Sequence, residues 1–272
     1  MAHANQERWA TLVDAKLRNQ LVTRDNLIFN SRYEGDPTSG KVKIPVRDTE
    51  VAVKEYDKAN GIAAEAGTTT YLDLNIDHDE AVNELIDGYD ADSVPDDIVA
   101  DRLDSAGYSL ALQMEKDASE ELTTGGTALA DTAALTKATV YEKIVDARTQ
   151  LSNAYVPTND RWLLVSPDTY ALLLKSPEFI KASDLGDAVV QTGAVGRVAG
   201  FNVFEDTTLG DKVDFVAGHP NWFTRVEEWT EPVAVNDLKG SGTYIGACAV
   251  QGRKVYAHKV TKAAAILVKK HA

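Results

Sequence analysis

The sequence predicts an α+β protein: one long helix near residue 100, an extended ribbon before it, and a sheet assembled late in the chain. Three observations predict this. Between Val99 and Leu122 apolar residues recur at spacings of three and four. Between Val42 and Ile76 the apolar period is two. Beyond residue 160, short apolar runs alternate with cap and turn signals.

In chain order, Trp9, Leu12, Val13, Leu17 and Leu21 have helical spacing and predict a helix over residues 5–22. Residues 30–40 are turn-rich and read as a linker. Val42, Ile44 and Val46 then alternate, as do Val51 and Val53, and Leu72, Leu74 and Ile76 follow a loop at Asn60–Gly67. A long hairpin from Gly40 to Asp77 is expected, with Pro45 at an edge or a bulge. A hairpin is marginal alone in water, and no neighbouring segment is an obvious partner for it within the chain.

The long helix should run from Ser93 to Gly126. Ser93 is the expected N-cap, Pro95 sits in the first turn, and Asp96 follows the cap by three residues. Val99, Leu103, Ala106, Leu110, Met114, Ala118 and Leu122 form its apolar stripe, and Gly125 and Gly126 end it. Its length would be roughly 40 Å. Such a helix beside an extended hairpin predicts a flat, elongated subunit that buries surface against copies of itself.

Thr139-Val140-Tyr141-Glu142 has the pattern of a capping box and opens a helix bearing Val140, Ile144, Val145 and Leu151. Trp162–Val165 is a continuous apolar run, hence a buried strand. Ser166-Pro167 and Ser176-Pro177 each place a cap before a first-turn proline and predict two short helices. Gly193–Gly200 supplies turns. Further strands are expected at Phe201–Phe204, Val213–Val216, Thr243–Val250, Lys254–Val260 and Ala265–Val268.

Composition narrows the function. The 272 residues are 44% hydrophobic and 26% charged, enough for a large core in one or two domains. No apolar run approaches a membrane span, and Met1–Gln6 lacks a signal-peptide core, so an intracellular protein without a membrane partner is expected. The single cysteine, Cys248, excludes an intrachain disulfide framework and a cysteine zinc site; its apolar strand suggests a buried, inert thiol. Of the net charge of −14, residues 65–104 contribute −12, from 13 acidic groups against Arg102 alone. That argues against a generic nucleic-acid binder and fits a surface that repels polyanions or attracts a basic partner.

Catalytic and ligand patterns are weak. Asn75, Asp77 and Asp79 alternate like calcium ligands, but Glu80 stands where that loop needs Gly and Ile86 where it needs Glu. The turn at Gly193, Gly196 and Gly200 is neither a dinucleotide fingerprint nor a P-loop and reads as a turn needing positive φ. Ser241, between Gly240 and Gly242, lacks nucleophile-elbow spacing. His3, His78, His219, His258 and His271 form no metal pair. Trp222, Phe223 and Trp229 with Arg225 could stack bases, but Glu227, Glu228 and Glu231 favour packing or a subunit contact.

The order of elements resembles the major capsid proteins of tailed bacteriophages, with the Hong Kong 97-like shell fold. The hairpin Gly40–Asp77 is similar to the family's extended loop, and Asp87–Leu122 to its acidic run into a spine helix. Arg161–Pro167 is similar to the strand–Ser-Pro–helix of the axial domain, and Gly196–Val203 to its G-x-x-x-G-F-x-V turn and strand. Gly252–Tyr256 is similar to the strand returning to the peripheral domain.

The resemblance implies an N-terminal arm (1–34), an extended loop (35–80), a peripheral domain with spine helix (81–137 and 245–272) and an axial domain (138–244). It implies a non-enzymatic protein, with no cofactor and no metal, that self-assembles through hexamers and pentamers into an icosahedral shell around double-stranded DNA. Its partners would be its own copies, a portal and, since about 35 residues precede the hairpin, a separate scaffolding protein. It would reside in the virion capsid and assemble in the host cytoplasm. Lysine–asparagine crosslinking occurs in some relatives, but neither the Asn nor the catalytic Glu can be matched here. The expected subunit contacts are Lys54, Tyr56 and Lys58 near the hairpin tip, meeting carboxylates of a neighbour's 73–104 run: Asp77, Asp79, Asp90 and Asp92. Two alternatives stand beside this reading: a cellular nanocompartment shell of the same fold, and a soluble enzyme or binding module.

Overall fold

The computed structural model describes residues 16–19, 21–23, 27–33, 40–47, 50–64, 66–89, 98–176, 196–238 and 243–272. The expectations resting on Ser93, Pro95 and Asp96, on Pro177, on Gly193, on Gly240–Gly242, and on Asp90 and Asp92 lie outside the described residues.

Two sheets and one long helix organise the chain. The helix α1 (Ile98–Gly125) has 28 residues, so it is about 42 Å long. Its stripe is buried as the spacing predicts, at Ala106, Leu110, Met114, Ala118 and Leu122. The N-terminal half packs on a three-stranded antiparallel sheet ordered β3 (His78–Ile86), β10 (Cys248–Val260), β9 (Phe223–Asp237). Ile98, Val99, Leu103 and Ala106 meet Val82, Ile86, Val233 and Val250 there. The C-terminal half stays bonded to β10, Glu121 Oε1 accepting the Val260 N–H at 3.1 Å, and also packs Ala118 and Leu122 against Trp162, Leu164, Val216 and Val268 of the second.

The second sheet has six strands: β4 (Thr127–Ala128), β11 (Leu267–Lys270), β8 (Val213–Gly218), β5 (Trp162–Val165), β7 (Phe201–Glu205) and β6 (Arg197–Val198), in that order. Its centre is covered on both faces. Leu163, Val165, Phe215 and Ala217 point to a core shared with α2 (Val140–Asn153) and α3 (Pro167–Leu174), while Trp162, Leu164 and Val216 point to the α1 side. Burial on both faces is why Trp162–Val165 reads as an unbroken apolar run. Ser166 caps α3, its hydroxyl accepting the Thr169 N–H at 3.3 Å, as the Ser-Pro pattern predicts. Thr139 is the N-cap of α2 without a side-chain cap bond; its hydroxyl instead accepts the Thr136 N–H at 3.1 Å. Gly200 has φ +86° in the turn from β6 to β7, the conformation expected of that Gly-rich stretch.

Several expectations are corrected. Of the helix expected over residues 5–22, Trp9, Leu12 and Val13 lie outside the described residues, and the described Lys16–Asn19 and Leu21–Thr23 are not helical; the Asn19 and Val22 N–H groups bond side chains of α1 instead. The acidic segment 78–86 is a strand with alternating exposure, and 223–237 is a 15-residue strand, although neither has a clean apolar alternation. The long pairing of β9 with β10 changes register around Gly252, where a Cβ would lie 2.7 Å from Val233 Cγ2. Residues 243–247 are not strand, and Cys248 is only partly buried. Strand pairing also crosses the expected 244/245 boundary both ways. β9 joins the sheet of β3 and β10, and β11 joins that of β5 and β8.

The hairpin is β1 (Lys41–Val46) paired with β2 (Thr70–Asn75), in register from Lys41↔Asn75 to Val46↔Thr70. Val51 and Val53 lie beyond the ladder, in irregular chain. Contrary to expectation, the hairpin base has a partner in its own chain: Ile44 and Leu74 are buried against Val226 of β9 and Ala257 of β10. Those residues lie more than 150 positions away, beyond the reach of a local reading.

Candidate assembly interface

The hairpin divides into an anchored base and a naked tip. Every described residue from 50 to 71 is exposed, among them Val51, Val53, Tyr56, Ile62 and Tyr71. Val53 is 98% and Val51 92% exposed, which is unusual for β-branched side chains. The tip itself is a built turn. Asp57 O accepts the Gly61 N–H at 2.8 Å, Asp57 Oδ1 accepts the Ala59 N–H at 2.8 Å, and Asn60 Nδ2 donates to Asp57 Oδ2 at 2.6 Å. These bonds, the backbone one from Ala59 foremost, hold the Asp57 carboxyl below its usual range. Lys54 and Tyr56 precede that turn and Lys58 lies within it, and all three are exposed.

The two described acidic contacts, Asp77 and Asp79, sit at the other end of the ribbon. Asp77 and Asp79 follow β2 at the base, where Lys41 pairs with Asn75, whereas the tip lies beyond Val46 and Thr70. The structure therefore does not bring the two sets together within one chain. Asp79 is engaged: Arg253 Nε donates to Oδ1 at 2.8 Å and Nη2 to Oδ2 at 2.5 Å, and this fork holds its pKa down. Asp77 Oδ1 lies 3.6 Å from His78 Nε2.

Part of the acidic segment is paired with cations. Asp73 pairs with Lys41, Glu84 with Arg102, Asp101 with Lys16 at 2.7 Å, and Asp104 with Arg18 at 2.6 Å. The charge block that is so uneven along the sequence is thus partly compensated in space.

A buried polar cluster underlies this surface, and sequence reasoning missed it. Arg225 of β9 faces His258 of β10 in register; its Nε donates to His258 Nε2 at 2.9 Å, and its Nη2 donates to Thr23 Oγ1 at 3.3 Å. The guanidinium carbon lies 4.0 Å from the Phe29 ring centroid. Burial lowers the pKa of Arg225 from its usual value and, with Arg225 beside it, lowers that of His258 well below its own. Tyr256 donates its hydroxyl to Asp117 Oδ2 at 2.5 Å and stacks on His78 with centroids 5.1 Å apart. Burial, first, and Asp117 push the Tyr256 pKa up. Glu115, 1% exposed, accepts the Val22 N–H on Oε1 at 2.7 Å. The signal available was position: Glu115 directly follows Met114 of the helix stripe, and Arg225 and His258 each stand beside apolar residues, Val226 and Ala257, in their strands. Phe223 and Arg225 are buried, while Trp229 is exposed and carries Lys254 Nζ 4.7 Å from its ring centroid, so Phe223 and Arg225 offer no face on which a base could stack.

An anchored two-stranded ribbon with an open tip, a long helix spanning two sheets, and a six-stranded α/β layer together make the Hong Kong 97-like shell fold. Solved structures share it over nearly the whole chain. A structure from Mycobacterium phage Che8 is 26% identical, with 97% of this chain and 96% of that chain covered and a TM-score of 0.81. The capsid structure of the cyanophage P-SCSP1u is 14% identical, covering 98% and 93%, with a TM-score of 0.83. The mature capsid of bacteriophage PhiM1 is 17% identical, covering 99% and 92%, with a TM-score of 0.74. A search of curated proteins returns no significant match. The class is therefore that of structural proteins which build capsid shells from many copies. Residues 80–268 match the family model described as phage capsid protein, and the chain belongs to that family.

Proposed function

We propose that this chain is the major subunit of an icosahedral shell, arranged as hexamers and pentamers around double-stranded DNA, and that its hairpin tip seats on an adjacent subunit. The observation that carries the reading is the tip itself: a pre-formed turn bearing exposed Val51, Val53, Tyr56 and Ile62, with no apolar cover from the described residues of its own chain. A surface of this kind is stable in water only if it is small or covered by a partner. Heterologous contacts between copies close into a shell when their rotations allow it.

In this reading residues 1–34 are an arm and 35–80 the extended loop. The three-stranded sheet with α1 is the peripheral domain and the six-stranded layer is the axial domain at the five-fold and six-fold centres. Assembly takes place in the host cytoplasm, with a separate scaffolding protein and a portal. The net charge of −14 favours a lumen wall along which DNA is not held by sequence. Lys54 and Lys58 seek carboxylates on a neighbour; Asp77 is the better candidate of the described pair, since Asp79 is held by Arg253.

The test is assembly of the double variant Lys54→Glu, Lys58→Glu, read by negative-stain microscopy and gel filtration. The expected outcome is loss or weakening of particles with an unchanged melting temperature. Particles formed as by the native chain would reject the tip as a contact.

A further inference from the structure

The described residues from Lys16 to Thr23 lie along one face of α1 and are fastened to it at successive positions. Lys16 pairs with Asp101, Arg18 with Asp104, the Asn19 N–H donates to Tyr108 Oη at 2.7 Å, and the Val22 N–H donates to Glu115 Oε1 at 2.7 Å. Positions 101, 104, 108 and 115 share a helix face. The first three fastenings are exposed, and ion pairs of that kind are worth little and are screened by salt. The fourth is different in kind. Glu115 is buried, and its Oε2 has no hydrogen-bond partner.

We propose that Glu115 is a proton-dependent pin: neutral, it holds the segment Lys16–Thr23 against α1, and ionised, it lets the segment go. The geometry argues this as follows. A cleft of about 620 Å³ opens beside the pin, between this segment, α1, β9 and β10. Glu115 lies on its wall yet is 1% exposed with the segment in place, so lifting the segment would open the carboxylate to water in the cleft. The charges facing Glu115 do not neutralise it. Asp206, from the turn after β7, adds negative charge and is already bonded to Ser119 and Thr208. Arg225, from β9, is the cation on that side, but it is committed to His258 and Thr23. Across the cleft, Arg18 is taken by Asp104 and Lys254 by Glu227. The held carboxyl is accordingly pushed up from 4.5 to about 7, burial being the main cause.

The sign follows. A carboxyl whose pKa is raised in the held state favours that state most fully below its free value of 4.5, and the advantage is lost between 4.5 and about 7. Above about 7 it is level. The arm is therefore tightened by acid and loosened toward neutrality.

Amide hydrogen exchange on the full chain tests this, read as protection factors at Val22 and Thr23 after correction for intrinsic exchange. Between pH 5 and pH 8 protection should fall by roughly two orders of magnitude, at about tenfold per pH unit across the window. Glu115→Gln keeps an acceptor for Val22 and removes the charge, so its protection should be level over the same range. Glu115→Ala removes the acceptor, so protection should be low throughout. A level profile in the native chain, or the native profile persisting in Glu115→Gln, would overturn the proposal. So would full protection in Glu115→Ala.

Discussion

Arg161 shows how much a single buried side chain does here. It is 2% exposed and stands one residue before β5. Its Nε donates to Pro157 O at 2.7 Å and its Nη2 to Val156 O at 2.6 Å, while Nη1 reaches Arg148 O at 3.3 Å. The guanidinium thereby satisfies carbonyls where α2 ends, a position in which a cation also meets the helix dipole. Burial lowers its pKa, yet five donors in a fixed fork keep the site satisfied. Arg161→Ala should cost about 3 kcal/mol in urea unfolding, because several carbonyls lose their donor at once. Lys269 is a parallel case, fully buried with Nζ donating to Asp131 O at 2.8 Å and Ala133 O at 2.7 Å. Lys269→Met should cost about 2 kcal/mol and loosen the loop after β4 before it affects α2. In both cases the residue type was visible in the sequence, but its role was not, since the acceptors come from segments folded onto it.

Among the elements, the hairpin carries the clearest consequence. Its ladder of six pairs has no second sheet neighbour among the described residues, so it depends on the small cluster of Ile44 and Leu74 with Val226 and Ala257. Two-stranded ribbons of this size are marginal without such support. Leu74→Ala should remove about 2 kcal/mol of local support, the low end for a buried leucine because few side chains surround it. The measurable outcome is faster amide exchange across β1 and β2 with an unchanged main unfolding transition. A fall in the main transition of the same size would mean that the ribbon is cooperative with the body. The alternation in β1 and β2 was legible because one face is buried and the other wet. The strand β3 was not, since Glu80 and Glu84 sit on half-buried positions at a sheet edge, where charges also discourage unwanted pairing.

At the scale of the whole molecule, α1 contributes to two cores: Ala106 to the one on the three-stranded sheet, and Ala118 and Leu122 to the one where Phe223 and Val260 of that sheet meet the six-stranded sheet. The tip contributes nothing to either. Replacing residues 50–66 with a short Gly-Ser link should therefore leave the melting temperature of the free chain unchanged and abolish particles in the microscope. Loss of folding would show that the tip belongs to the body. Retained particles would show that the shell closes through the sheets and helices alone.

The apolar stripe of α1, the two-residue period of the hairpin, the unbroken run at Trp162–Val165 and the Ser-Pro cap of α3 were set by the sequence itself. Each follows from local geometry, a period of 3.6 or 2 and a cap one turn away. Only the folded chain decided which segments share a sheet, that the hairpin base rests on its own β9 and β10, that distant cations take up the acidic run, and that Glu115, Arg225 and His258 are buried together. Those outcomes depend on pairings between segments separated along the chain, where burial and desolvation act on neighbours that no local pattern names.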